Sequence, residues 1–240
     1  MKEMEVDIET RDGLMNTFIT RPDNEKPYPI VLFLMDAPGK REELHDMARR
    51  IGSVGYYVML PNLYYRTARD FVMSSDNREE MFGHMNALSN EMVCDDVQSM
   101  FDFSANDSAA SGGVAGCVGY CMSGPFAFAA ASRFAARIKA SASFHGVRLF
   151  LDTPESPHLN ASNIKGEMYF GCAETDDWAP PEMVEGLDKY LSGTGIKYRI
   201  EWYPGTHHGF VFPQRTGIYH KESAERHWER LFDMFSRNLS

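Results

Sequence analysis

Short apolar runs alternate along this chain with stretches of helical periodicity. Tyr28–Leu34 is almost continuously apolar and reads as a strand buried on both faces. Arg41 to Gly52 places Leu44, Met47, Ala48 and Ile51 on one face, the pattern of an amphipathic helix. Tyr56–Leu60 predicts the next strand, stopped by Pro61, and Arg78 to Phe103 reads as largely helical. Val114–Val118 predicts another strand, followed by an Ala-rich helical segment from Pro125 to Ile138. The alternation continues with strands at Ala140–Phe144 and Glu167–Phe170. A helix from Pro180 to Ser192 has Pro at its start and Gly193 beyond its end, as capping preferences require. Lys197–Tyr203 alternates as a strand, and Glu222 to Phe235 closes the chain as a helix with Ala224, Trp228, Leu231, Phe232 and Phe235 inward. Segment 6–19 suggests an antiparallel edge hairpin turning near Asp12-Gly13. Strands separated by helices predict an α/β fold: a mostly parallel central sheet with helices on both faces. The length of 240 residues suits one domain spanning 1–240, with no repeat or linker to divide it.

In such sheets ligands bind beyond the carboxyl ends of the strands. Cys121 stands at one of these ends, in Gly119-Tyr120-Cys121-Met122-Ser123-Gly124. A nucleophile-type residue on a sharp turn between a buried strand and a helix is a nucleophile-elbow pattern, with Cys in place of Ser. The tight turn demands small neighbours, and Gly119 and Gly124 supply them. The following helix places its positive end near the sulfur, which favours a thiolate. The competing reading of so short a string is a buried packing cysteine on a tight turn.

Composition narrows the partners. The formal net charge is −10, with 43% hydrophobic and 24% charged residues. An acidic chain with no Lys/Arg cluster is a poor candidate for nucleic acid or an anionic membrane. The first seven residues hold no apolar signal core, and four cysteines without a Cys-x-x-Cys pair make no disulfide scaffold. A reducing, cytoplasmic location is therefore expected. Neither a metal-ligand cluster nor a phosphate-binding Gly motif appears, so no metal and no cofactor is expected.

A Cys nucleophile needs a base and an orienting acid. Glu174-Thr175-Asp176-Asp177-Trp178-Ala179-Pro180 is an acidic loop at a strand end, and His207-His208-Gly209-Phe210 follows the next strand. The order nucleophile, acid, His is that of elbow enzymes. Glu174, Asp176 and Asp177 all compete for the acid on this ground alone.

Four pieces taken together resemble the dienelactone hydrolase family of the α/β-hydrolases: residues 119–124, Asp-Asp-Trp-Ala-Pro at 176–180, Tyr-Pro-Gly-Thr-His-His-Gly-Phe at 203–210, and Leu-Pro-Asn-Leu-Tyr-Tyr-Arg at 60–66. They extend over nearly the whole chain. The resemblance implies Cys121 as nucleophile, His208 as base because Gly-Phe follows it, and Asp176 as acid because it lies four residues before a Pro, with Glu174 a weaker rival. It implies an oxyanion hole from the backbone N–H groups of Ala37 and Met122. It also places an acid next to the resting nucleophile, here Asp36, one methylene shorter than the family's usual Glu. The family often has Arg four residues after the His; this chain has Phe212 there, with Arg215 the nearest arginine and Arg78 a possible second. Tyr64, Arg66, Arg78, His145, Trp178, Phe210 and Phe212 are the substrate-pocket candidates, and for the aromatics core packing is an equal alternative.

The resulting expectation is a carboxylic ester hydrolase acting on a small ester or lactone through a thioester, as a monomer or homodimer. Competing readings are a non-catalytic small-ligand or partner-binding member of the fold, a redox-active thiol protein, and an acyl transferase within the enzymes.

Overall fold

The computed structural model describes residues 1–24 and 26–239. Eight strands form one sheet: β1 (Lys2–Thr10), β2 (Gly13–Arg21), β3 (Tyr28–Leu34), β4 (Tyr57–Pro61), β5 (Ala110–Tyr120), β6 (Ile138–Phe144), β7 (Glu167–Thr175) and β8 (Lys197–His207). Their spatial order is β1-β2-β4-β3-β5-β6-β7-β8. The β1–β2 hairpin and the β2–β4 pair are antiparallel, and every later pair is parallel. Helices α1 (Glu42–Ser53), α2 (Arg78–Asn86), α3 (Asn90–Ser104), α4 (Gly124–Arg133), α5 (Pro181–Leu191) and α6 (Lys221–Asn238) occupy the crossovers and the C-terminus. β3 and β4 are apolar throughout because the central parallel strands are covered on both faces, so neither face can be polar.

Several boundaries differ from the sequence expectation. The helix expected over 78–103 is two helices, broken at 87–89 where Ser89 caps α3 by accepting the Met92 N–H at 3.1 Å. The helix expected over 125–138 is shorter: α4 ends at Arg133 and Ile138 already begins β6. Strand β7 runs on through Gly171 to Thr175, because Gly171 leaves room for the Phe144 ring, which a Cβ there would meet at 2.5 Å. Strand β8 likewise passes through Pro204-Gly205 as a bulge, with Gly205 at φ +70° and its N–H donated to Glu174 Oε2 at 2.7 Å. Phe232 is only partly buried and stacks on Trp228, while His227 and Met234 take the inward positions.

His227 is wholly buried under the sheet. Its Nδ1–H donates to the Ala224 carbonyl at 2.8 Å, and Nε2 accepts the Tyr120 hydroxyl at 2.9 Å. Burial disfavours the cation and pushes the imidazole pKa down to about 3. An unfolded chain binds that proton near pH 6.5, so the stability this group confers is present above 6.5 and lost as pH falls toward 3. Acidification from pH 6.5 to 4 is therefore expected to cost on the order of 3 kcal/mol through this histidine alone. Urea midpoints at the two pH values should fall less steeply in His227→Gln; equal falls would remove His227 from the account.

Candidate active site

The register brings three strand ends to one edge. Leu34 of β3 pairs with Gly119 of β5, and Tyr120 pairs with Phe144 of β6. Cys121, Asp36 and His145 therefore leave the sheet side by side. Farther along, Thr175 of β7 pairs with His207 of β8, so the next residues, Asp176 and His208, emerge together.

Cys121 opens a single 3-10 turn, Cys121–Ser123, that leads into α4. Its φ of +54° lies in the left-handed region, which costs a non-glycine residue about 1–2 kcal/mol. Neighbouring contacts hold this turn. Ser123 Oγ donates to the Met35 carbonyl at 2.5 Å, and the Val147 N–H donates to the Cys121 carbonyl at 3.2 Å. The elbow fits only because two residues lack a Cβ. At Gly119 a Cβ would sit 2.1 Å from the Ser123 carbonyl oxygen, and at Gly124 one would sit 2.5 Å from Gly146 Cα.

Asp176 is buried and fully engaged. One carboxylate oxygen accepts the N–H groups of Trp178 and Ala179 at 2.9 and 3.1 Å, and the other accepts His208 Nδ1–H at 2.7 Å. Because the carboxylate only accepts, Nδ1 carries the proton. His208 Nε2 is buried with no hydrogen-bond partner among the described residues, and His208 and Cys121 line the same cavity. Burial works against the His208 cation, but Asp176 and Cys121 outweigh it and lift the imidazole pKa to about 9. Glu174, the rival acid, is exposed and accepts the Gly205 N–H, while His207 is exposed beside His208. Cys94, Cys117 and Cys172 are buried, and burial pushes all three thiols up.

Asp36 lies wholly buried, but its carboxylate serves two arginines instead of the sulfur. Oδ1 and Oδ2 take Arg41 at 2.5 and 3.2 Å, and Oδ2 also takes Arg215 at 2.9 Å. Arg41 in turn holds Glu43 at 2.6 Å. The shorter side chain explains the difference from the expected contact: Asp keeps its carboxylate at the turn, within reach of guanidinium groups from Arg41, just before α1, and from the 208–215 loop. The four charges compensate one another, as buried charges must.

A cavity of about 1080 Å³ opens over Cys121 and His208. Ala37, Arg41, Arg215, Phe71, Met81 and Phe82 are among the residues that line it. Of the seven pocket candidates only Arg78 and Trp178 reach it, Arg78 lying over the Phe82 ring and half-exposed Trp178 packing beside that ring. The other five do not line it, each for a visible reason. Tyr64 is buried beneath the turn, donating to the Ala37 carbonyl at 2.8 Å and contacting Met122 Sδ at 3.2 Å. Arg66 is held by Asp96 at 2.8 and 2.9 Å and by Asp12 at 2.8 Å, away from the cavity. Phe210 packs on Tyr203, and Phe212 lies beneath the Arg41 and Arg215 guanidinium groups. His145 is fully buried with its ring centroid 4.8 Å from that of His208, and neither of its ring nitrogens has a hydrogen-bond partner. Burial, then the neighbouring His208 and Arg215, hold His145 far below the usual imidazole range, so it is neutral.

Among the lining residues that sequence reasoning did not place at the cavity are Arg41, Arg148, Phe71, Met81, Phe82 and Met85. Arg148 carried a legible signal, since it follows His145-Gly146 at a strand end. No set of three His, Cys, Asp or Glu side chains among the described residues could hold a metal ion.

Residues 15–239 match the family model described as the dienelactone hydrolase family. The chain belongs to that family. A Synechocystis sp. protein provisionally named carboxymethylenebutenolidase is 24% identical over 92% of this chain and 91% of its own length. A Yersinia pestis protein of the same provisional name is 26% identical over 98% of this chain and 88% of its own. Among solved structures, a provisionally named dienelactone hydrolase from Klebsiella pneumoniae superposes with a TM-score of 0.86, at 22% identity and 98% coverage of both chains. This dienelactone hydrolase family member therefore has the α/β-hydrolase fold and is a hydrolase of the ester and lactone class.

Proposed function

We propose that this dienelactone hydrolase family member is a cytoplasmic enzyme that cleaves small esters or lactones with Cys121, His208 and Asp176 as its catalytic residues. The observation that carries this reading is the Asp176–His208 hydrogen bond at 2.7 Å, with His208 and Cys121 lining the same large cavity. A His208 pKa near 9 keeps the imidazole charged at neutral pH, so that it holds a proton to give to the leaving group. The thiolate sulfur attacks the carbonyl carbon, and the oxyanion is received by the backbone N–H groups of Ala37 and Met122. His208 gives its proton to the departing alkoxide. A thioester on Cys121 no longer offers a negative sulfur to His208, so the imidazole pKa falls and the neutral ring serves as base for water. Asp176 holds the Nδ1–H tautomer in both steps. Cleavage of a lactone leaves the alcohol attached to the acyl group, so the same two steps yield one ring-opened hydroxy acid.

A resolving cysteine for redox chemistry has no counterpart here. Cys117 lies fully buried inside β5 with its thiol pushed far up by burial.

Replacing Asp176 by Asn exchanges an acceptor for a group that favours the wrong imidazole tautomer. By the precedent of Ser–His–Asp enzymes, kcat should fall about 10³- to 10⁴-fold. Hydrolysis of an aryl acetate and an enol lactone by wild type and Asp176→Asn tests this. A loss under tenfold, with the fold intact by circular dichroism, would exclude Asp176 from the chemistry.

A further inference from the structure

A second cavity of about 230 Å³ adjoins the one above Cys121. Met85, Val147 and Arg148 line both cavities, so these residues form a shared partition. Its apolar lining includes Leu88, Met122, Phe126 and Leu151, and its polar lining Ser89, Asn90, Thr153, Glu155 and Ser156. Met122 is the residue that follows the nucleophile, which places this volume directly beside the reacting centre.

The partition is a strained and lightly held part of the fold. His145 and Arg148 stand at φ of +39° and +54°, and strain in non-glycine residues tends to cluster at ligand sites. The segment is pinned to the elbow through Val147 N–H and the Cys121 carbonyl. The Arg148 guanidinium bonds the neutral Asn86 Oδ1, not a carboxylate, at 3.0 Å. A neutral acceptor holds a cation less firmly than a carboxylate does. The Arg148 side chain is therefore the part of the partition most easily displaced.

We propose that this second cavity is an apolar subsite, which takes the hydrocarbon arm of an ester whose carbonyl sits at Cys121. The inference rests on the hydrolase reading and adds a chain-length preference to it. An apolar protein cavity of roughly 150 Å³ admits benzene, so the present volume has room for a phenyl group or a short alkyl chain. Each methylene buried there should raise kcat/KM about fourfold until the cavity is full. The arm belongs either to the acyl group or to the alcohol, and the two share the same chemistry.

Two substrate series distinguish these sources: p-nitrophenyl esters from acetate to octanoate, and alkyl acetates from methyl to octyl. Wild type is compared with Leu151→Trp and Leu88→Trp, which narrow the cavity from partly exposed positions where a larger ring is tolerated. The expected result is a rise in kcat/KM along one series, lost in both Trp variants. The series that rises names the arm. A flat response in both series, or a rise that survives both substitutions, overturns the subsite. If wild type hydrolyses no ester, the hydrolase reading fails, and calorimetric binding of 1-octanol still tests the cavity. Binding weakened at least tenfold in both variants supports the subsite; equal binding in wild type and variants, or none in wild type, overturns it.

Discussion

Cys121→Ala is expected to abolish ester hydrolysis, with kcat lower by about 10⁴- to 10⁶-fold, as in enzymes whose nucleophile is removed. The expectation follows from the site's construction. His208 is hydrogen-bonded to Asp176, and among the described residues Cys121 is the one cysteine that lines the cavity with it. Ser123, the nearest hydroxyl in sequence, is buried and donates to the Met35 carbonyl. Removing the sulfur also removes part of what raises the His208 pKa, so residual water attack would not inherit the same base. Because Cys121 sits at positive φ, Cys121→Ala and Cys121→Ser keep the same backbone strain and should fold alike. Initial rates on an aryl acetate check the loss; a decrease under tenfold would mean the elbow is not the reacting centre.

Gly119→Ala is expected to destabilise the protein by about 3 kcal/mol or more, at the upper end of overpacking costs. The added Cβ would stand 2.1 Å from the Ser123 carbonyl oxygen and 3.0 Å from Ala127 Cβ. The first obstacle is backbone, fixed between the 3-10 turn and α4, so it cannot swing aside as a flexible side chain would. Relief requires moving the strand or the elbow, and moving the elbow displaces Cys121 from His208. Stability and activity should therefore fall together. Gly112→Ala on the same strand is the control, since a Cβ there meets nothing within 4 Å. For a chain of this size the melting temperature should drop by roughly 6–12 °C at Gly119. Equal melting curves for the two variants would show that the turn is looser than its contacts imply.

The elements that carry these residues were legible because periodicity and turn chemistry report local structure. Apolar runs marked β3 to β6, and the Gly-flanked cysteine marked a strand-to-helix turn. What stayed hidden depends on contacts distant in sequence. Asp36 meets Arg215 across 179 residues, and no local pattern shows that those partners exclude the sulfur. Gly171 reads as a strand end until the Phe144 ring is seen to require it. Phe210 and Phe212 follow His208 closely, yet a turn at Gly209, with φ of +87°, directs them into the core. The break at 87–89 was written in Ser89, but the long helical stretch around it carried the stronger signal.

The most direct test of the account is capture of the acyl-enzyme. The protein is mixed with excess p-nitrophenyl acetate, quenched in acid within the first turnover, and measured by intact and peptide mass spectrometry. The account predicts one acetyl group per chain, on the peptide containing Cys121, labile to hydroxylamine and absent from Cys121→Ala. An acetyl group on another residue, or turnover with no adduct at any quench time while Cys121→Ala remains active, would contradict it.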